Sequence, residues 1–176
     1  MKTTYLYEID LDCWNSSPLG NDFQLPPAAR TGQILRYPAD ILRLDLLEDI
    51  QQRGLEVREV QMFISPALYR MKTHIDGYSL HDNAAVNWVL VSRSWRMNWY
   101  DYSGPLPDMK TTATGTDYLP LDDAQCILVH SAEWANAAIV RTGLAHNIIN
   151  KDILPRYCVS VRFQDNNYDF IKSKFI

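Results

Sequence analysis

The chain has only three cysteines, Cys13, Cys126 and Cys158, an odd number set far apart and without a CxxC pair. That pattern gives neither a disulfide framework nor a zinc motif, and a reducing cytoplasm is the expected compartment. Runs of one charge are also missing. No stretch of Lys or Arg exceeds two residues, and the net charge is −4 with a pI near 5.5. A protein that grips nucleic acid through backbone charge needs a basic footprint, so a nucleic-acid partner is not expected. Long apolar runs are absent, and nothing approaches the length of a bilayer span. The opening residues, MKTTYLYEIDLDCW, carry acids where a signal peptide needs apolar residues, so none is expected there.

What is present is the composition of an ordinary folded domain. Apolar residues make up 47% and charged residues 22% of 176 residues, enough for one domain with its own core. Tyr5, Tyr7, Ile9 and Leu11 alternate as in an opening strand, and a turn-rich segment follows over 15–27. Over 38–53, Ile41, Leu44, Leu47 and Ile50 recur at helical spacing, with Pro38 near the start and Gly54 at the end. From there the pattern changes. Segments 57–64, 69–75, 84–91, 94–100, 126–130, 137–141, 145–149 and 157–163 are rich in β-branched and aromatic residues. About eight short strands predict a β-sandwich or barrel with one helix outside it. Segment 103–121 is expected to be a long loop between the two halves. The whole of 1–176 is expected to be one domain, with a strand and helix in 1–54 and a β-core over about 57–163.

The chain holds four histidines: His74, His81, His130 and His146. In His74-Ile75-Asp76 an imidazole and a carboxylate stand at i and i+2, which on a strand face the same way. With a third ligand from another strand they would form a two-histidine, one-carboxylate facial triad, which leaves coordination positions open. His146 opens a later strand, just past a Thr142-Gly143 turn, and Arg156 follows ten residues on. Arg156, Cys158, Ser160 and Arg162 share one strand face. An arginine lining an otherwise apolar barrel requires an anion, because a buried unpaired charge is very unfavourable, and its planar fork suits a carboxylate. His130 reads as structural, and Trp88, Trp95 and Tyr100 read as core aromatics.

The order HxD, distal His, then Arg about ten residues later resembles the signature of the Fe(II)- and 2-oxoglutarate-dependent oxygenases. Supporting residues are His74-Ile-Asp-Gly77, Val86-Asn-Trp-Val-Leu90, Met97-Asn-Trp-Tyr100, Gly143-Leu-Ala-His146 and the strand from Arg156 to Phe163. They are similar to small members of the family related to prolyl, aspartyl and amino-acid hydroxylases, over about 57–163. Ala145 stands where relatives often have Pro. The resemblance implies a double-stranded β-helix, the jelly roll of the cupins. It implies Fe(II) held by His74, Asp76 and His146, and 2-oxoglutarate held by Arg156 at its distal carboxylate. Asn87 is a candidate donor to the cosubstrate. Arg162 is a candidate second anion contact, in an RxxxxxR spacing that resembles that of nucleic-acid dealkylases in the family. Trp99 and His81 are candidates to line the substrate pocket. The implied reaction uses O2 to hydroxylate a small molecule, an amino acid or a protein residue, and converts 2-oxoglutarate to succinate. Two alternatives stand beside it. One is a non-catalytic jelly-roll binding or assembly protein with a vestigial metal site. The other is a cupin-type metal enzyme, although the three-histidine and Glu pattern common there is not found. Oligomeric state is left open.

Overall fold

The structure, a computed structural model, describes residues 4–28, 30–77 and 83–176. Its strands are β1 (Leu6–Ile9), β2 (Gln33–Tyr37), β3 (Val57–Ser65), β4 (His74–Asp76), β5 (Ala84–Leu90), β6 (Trp95–Tyr102), β7 (Lys110–Thr111), β8 (Asp117–Pro120), β9 (Cys126–Ala132), β10 (Ala137–Arg141), β11 (His146–Asn150) and β12 (Arg156–Phe163). Among the described residues there are two α-helices, α1 (Leu44–Gln52) and α2 (Tyr168–Ser173). The strands form two antiparallel sheets of six, ordered β1-β10-β5-β12-β3-β2 and β7-β8-β4-β11-β6-β9.

The pairing within these sheets is nested. Strand β3 pairs with β12, β4 with β11, β5 with β10 and β6 with β9. First pairs with last and each inner pair closes inside the one before, as when a long hairpin is wound into a barrel. The fold is a jelly roll. This winding places residues remote in sequence opposite one another, and His74 stands across from His146 in register. Among the described residues no helix is long and apolar enough to cross a membrane.

Strand β12 is buried along its whole length. Its odd-numbered residues, Tyr157, Val159, Val161 and Phe163, pack with Trp14, Leu46, Ile50, Val60, Met62 and Tyr168, so the outer face of that sheet lies under the helices. Its even-numbered residues, Arg156 to Arg162, therefore face between the sheets. There Trp95, Met97, Trp99, Trp134, Val140 and Ile148 form a second apolar cluster. The alternation thus puts two arginines inside the barrel.

Three expectations are corrected. The helix over 38–53 is split: a 3-10 turn covers Ala39–Ile41, Leu42 and Arg43 are extended, and α1 follows. Arg43 fixes that break, since its guanidinium donates to the Cys13 carbonyl and the Ser16 hydroxyl. The interruption shifts the buried stripe to Leu46 and Ile50 and leaves Leu44 exposed. Gly54 ends the helix at φ +70°, a conformation open to glycine. Segment 69–75 is strand only from His74, because the residues before it meet β11 through isolated bonds such as Met71 N to Ile148 O at 2.9 Å. Segment 103–121 is not all loop. It contains the β7–β8 hairpin, which turns at Gly115 (φ +80°) and extends the sheet beside β4.

Candidate metal centre

Strand register assembles the site. His74 and Asp76 lie two apart on β4, and His146 opens β11 directly across from His74. One ligand atom from each of the three lies within 4.8 Å of the others. The two imidazole rings stand 4.4 Å apart, centroid to centroid.

Both histidines are held the same way. His74 Nδ1 lies 2.9 Å from the carbonyl of Lys72, and His146 Nδ1 lies 2.8 Å from that of Leu144. A carbonyl only accepts, so each Nδ1 carries its proton and each Nε2 is left to bind a metal. Asp76 is fixed from the other side. Arg162 Nη2 donates to Asp76 Oδ2 at 2.7 Å, and Arg162 Nη1 donates to Thr142 Oγ1 at 2.9 Å. The Thr142 carbonyl accepts from the Asp76 backbone N–H at 3.0 Å. The other carboxylate oxygen, Oδ1, is 3.3 Å from His74 Nε2. The residues present therefore suit a divalent ion: two imidazole nitrogens and one carboxylate oxygen converge, each anchored from behind.

Burial acts to raise the Asp76 pKa, but the His74 hydrogen bond and the Arg162 charge outweigh it and hold the carboxyl well below the usual range. For His74, burial acts to lower the pKa, and the hydrogen bond and charge of Asp76 reverse it, leaving it raised. His146 is pushed down to about 4 by burial and then by the neighbouring His74 charge. Below its raised pKa, His74 in the metal-free protein carries a second proton, on Nε2 against Asp76, whereas above about pH 4 His146 is neutral with its one proton on Nδ1. A metal ion must displace the Nε2 proton of His74. Affinity for Co(II) or Mn(II) is expected to rise about tenfold per pH unit from about 4 up to the raised pKa of His74, then level off. Proton release near one per ion, measured by calorimetry in buffers of different ionisation enthalpy, checks this.

Arg156 opens β12 and is 1% exposed. Its guanidinium lies over the Trp95 ring at 4.6 Å, yet Nε and Nη2 have no hydrogen-bond partner among the described residues. Burial lowers its pKa. Burial also raises that of Cys158, against the pull of Arg156, so the thiol beside it stays neutral and is no counter-ion. Asn87 Oδ1, Ser160 Oγ and Arg162 Nε are likewise buried without partners among the described residues. The triad, Arg156, Arg162 and Asn87 all line one cavity of about 30 Å³, room for a water or two. Two larger pockets, of about 590 and 630 Å³, also reach Asp76.

The remaining candidates fall elsewhere. Trp99 is fully buried in the apolar cluster between the sheets, and its Nε1 donates to the Arg141 carbonyl at 2.9 Å. That satisfied, closed-in indole makes it a core residue, not a pocket wall. Arg162, expected as a second anion contact, has Asp76 as its anion. His81 lies outside the described residues. His130 stacks on Tyr5 with ring centroids 4.9 Å apart. Sequence reading missed Thr142 and Tyr118. The Tyr118 ring stands edge-on to His74 at 6.3 Å, and its place on β8, the hairpin strand beside β4 but remote in sequence, left no local signal.

No protein-family model matches the chain, and no curated protein matches it significantly. Solved structures of Bacillus subtilis oxalate decarboxylase do align. The enzyme at pH 4.6 is 10% identical over 81% of this chain and 28% of its own, with a TM-score of 0.39. A structure obtained for work on that enzyme's Mn(II) centres is 10% identical over 82% and 29%, with a TM-score of 0.39. This chain spans under a third of the length of those proteins. A likeness so loose carries no argument about chemistry, which rests on the side chains above.

Proposed function

We propose that the chain is an Fe(II)- and 2-oxoglutarate-dependent oxygenase that hydroxylates an organic substrate with O2 and releases succinate. The observation that carries this reading is Arg156, fully buried with unpartnered donors and facing the cavity of His74, Asp76 and His146. A guanidinium is kept in such a place at a free-energy cost unless an anion joins it, and a distal carboxylate matches its fork.

Each residue then has a task. His74 and His146 present Nε2, and Asp76 presents Oδ1. Arg162 occupies the far oxygen of Asp76, so the carboxylate offers one oxygen to the ion and leaves positions open. Arg156 orients the cosubstrate, with Trp95 stacked behind it, and Asn87, which lines the same cavity, supplies a polar group beside it. When bound, iron and 2-oxoglutarate would supply the oxidising power for C–H hydroxylation, coupled to decarboxylation of the cosubstrate. The chain's own contribution is orientation and the exclusion of water by a buried site.

The test is anaerobic titration of 2-oxoglutarate into the Fe(II)-loaded protein, followed by the visible charge-transfer band of the chelate. The band should grow to saturation in the wild type and be lost in His74→Ala. A second reading keeps the metal and drops the cosubstrate, and the small cavity of about 30 Å³ favours it. Iron retained with no band at any 2-oxoglutarate concentration would select that reading and overturn the oxygenase.

A further inference from the structure

Two pockets adjoin the metal centre, and their charges differ. The pocket of about 630 Å³ is lined by Arg36, Arg58 and Arg162, but each of these is paired: Arg36 with Glu59 at 2.9 Å, Arg58 with Glu59 at 3.4 Å and Arg162 with Asp76 at 2.7 Å. The pocket of about 590 Å³ is lined by Arg70, Lys72 and Lys110. These three are exposed and have no ion-pair partner among the described residues. Among the described residues Asp76 is the one carboxylate in that lining, and Arg162 already neutralises it. The excess of positive charge is notable in a chain whose net charge is −4.

The pocket is built onto the metal site. Lys110 stands opposite Tyr118 across the β7–β8 ladder, and Tyr118 stands opposite Asp76 across β8–β4. Lys110, Tyr118 and Asp76 thus form one row on one face of the sheet. Lys72 lies two residues before His74, and its carbonyl holds the His74 ring. Phe63, Tyr69 and Tyr118 make the walls apolar and aromatic. The floor is metal ligand, the walls are aromatic and the rim carries three cations without an ion-pair partner among the described residues.

Resting on the oxygenase reading, we propose that this pocket takes the substrate, an amphipathic small molecule with an aromatic or alkyl body and an anionic end group. The apolar body lies on Tyr118 and Phe63 near the ion, and the anion sits among Arg70, Lys72 and Lys110. The volume suits a drug-sized organic acid better than a bare amino acid. The acid group is a carboxylate, sulfate or phosphate, since ammonium and guanidinium donors attract each of these.

The test uses three naphthyl probes on the Mn(II)-loaded protein: 2-naphthoxyacetate, its neutral amide and the corresponding amine. Calorimetry gives affinity, and relaxation of the naphthyl protons by Mn(II) reports whether the body lies near the ion. The acid should bind at least tenfold more tightly than the amide, with the amine weakest, and its protons should relax. Arg70→Glu and Lys110→Glu should each weaken the acid about tenfold and leave Mn(II) bound, whereas Lys172→Glu, on α2, should change nothing. Replacing the acid by the aryl sulfate and phosphate distinguishes the end groups. Equal binding of acid and amide, or indifference to both charge reversals, would overturn the assignment. So would a single-stranded oligonucleotide that displaces the acid. If Mn(II) does not bind at all, the metal reading fails, while the calorimetric preference for the acid is judged separately.

Discussion

Arg156→Met is expected to make the metal-free protein more stable and to remove its response to 2-oxoglutarate. In the wild type, two guanidinium donors are buried and unpartnered, and each such group costs about 1–3 kcal/mol. The Trp95 ring returns only part of this, about 0.5–2 kcal/mol for a buried cation–π contact. Met fills similar space with a flexible apolar chain and leaves no donor behind. A net gain of about 1–3 kcal/mol follows, or several degrees in Tm for a chain of this size. Fe(II) should raise the Tm of both proteins by mass action, and saturating 2-oxoglutarate added to the Fe(II)-loaded protein should raise it further in the wild type and not in the variant. Differential scanning calorimetry with and without cosubstrate measures both. A variant that loses stability would mean that Arg156 is a structural residue already satisfied in the fold, and the argument for the cosubstrate would go with it.

How far the site was legible in the sequence depends on which physical signal each part leaves. The period-two alternation of β12 was plain, and it placed Arg156, Cys158, Ser160 and Arg162 on the inner face. The i, i+2 spacing of His74 and Asp76 was equally local. That His146 meets them was not local. It depends on the nested pairing, which only the wound sheet supplies. Backbone groups leave no trace in side-chain identity, so the carbonyls of Lys72 and Leu144 that set both imidazole tautomers were invisible. Short elements escaped for a related reason. Helix α2 has six residues, too few for a helical period to stand out, although its N-cap Asn167 accepts from Phe170 N at 2.9 Å as a cap should. The β7–β8 hairpin lay in a stretch of Gly, Pro, Thr and Asp, where turn residues outweighed strand formers. Arg162 shows a different limit. Its face was legible but its partner was not, because Asp76 lies on another sheet.

That partnership leads to the second large expected effect. Asp76→Ala removes the anion from a buried guanidinium, and breaking a buried pair in this way costs about 3–5 kcal/mol. It also strips the carboxylate from the metal site. Arg162→Met is expected to cost less, about 1–3 kcal/mol, because Asp76 keeps the neighbouring His74 as a partner. The double variant Asp76→Ala/Arg162→Met leaves neither charge behind. It should recover most of the stability lost in Asp76→Ala, with a coupling of about 2 kcal/mol or more between the two positions. Its metal affinity should remain abolished. Denaturant unfolding of the four proteins at pH 7 closes the cycle. The carboxyl of Asp76 is held below its unfolded pKa of about 3.9, so its contribution is complete above that pH and is lost only as the pH falls through the depressed folded value. Additive costs would show that the two residues act independently, and Arg162 would then be a packing residue and not the anchor of the metal carboxylate. Coupling without recovery of metal binding would separate the two roles of Asp76: one oxygen holds the fold through Arg162, and the other holds the ion.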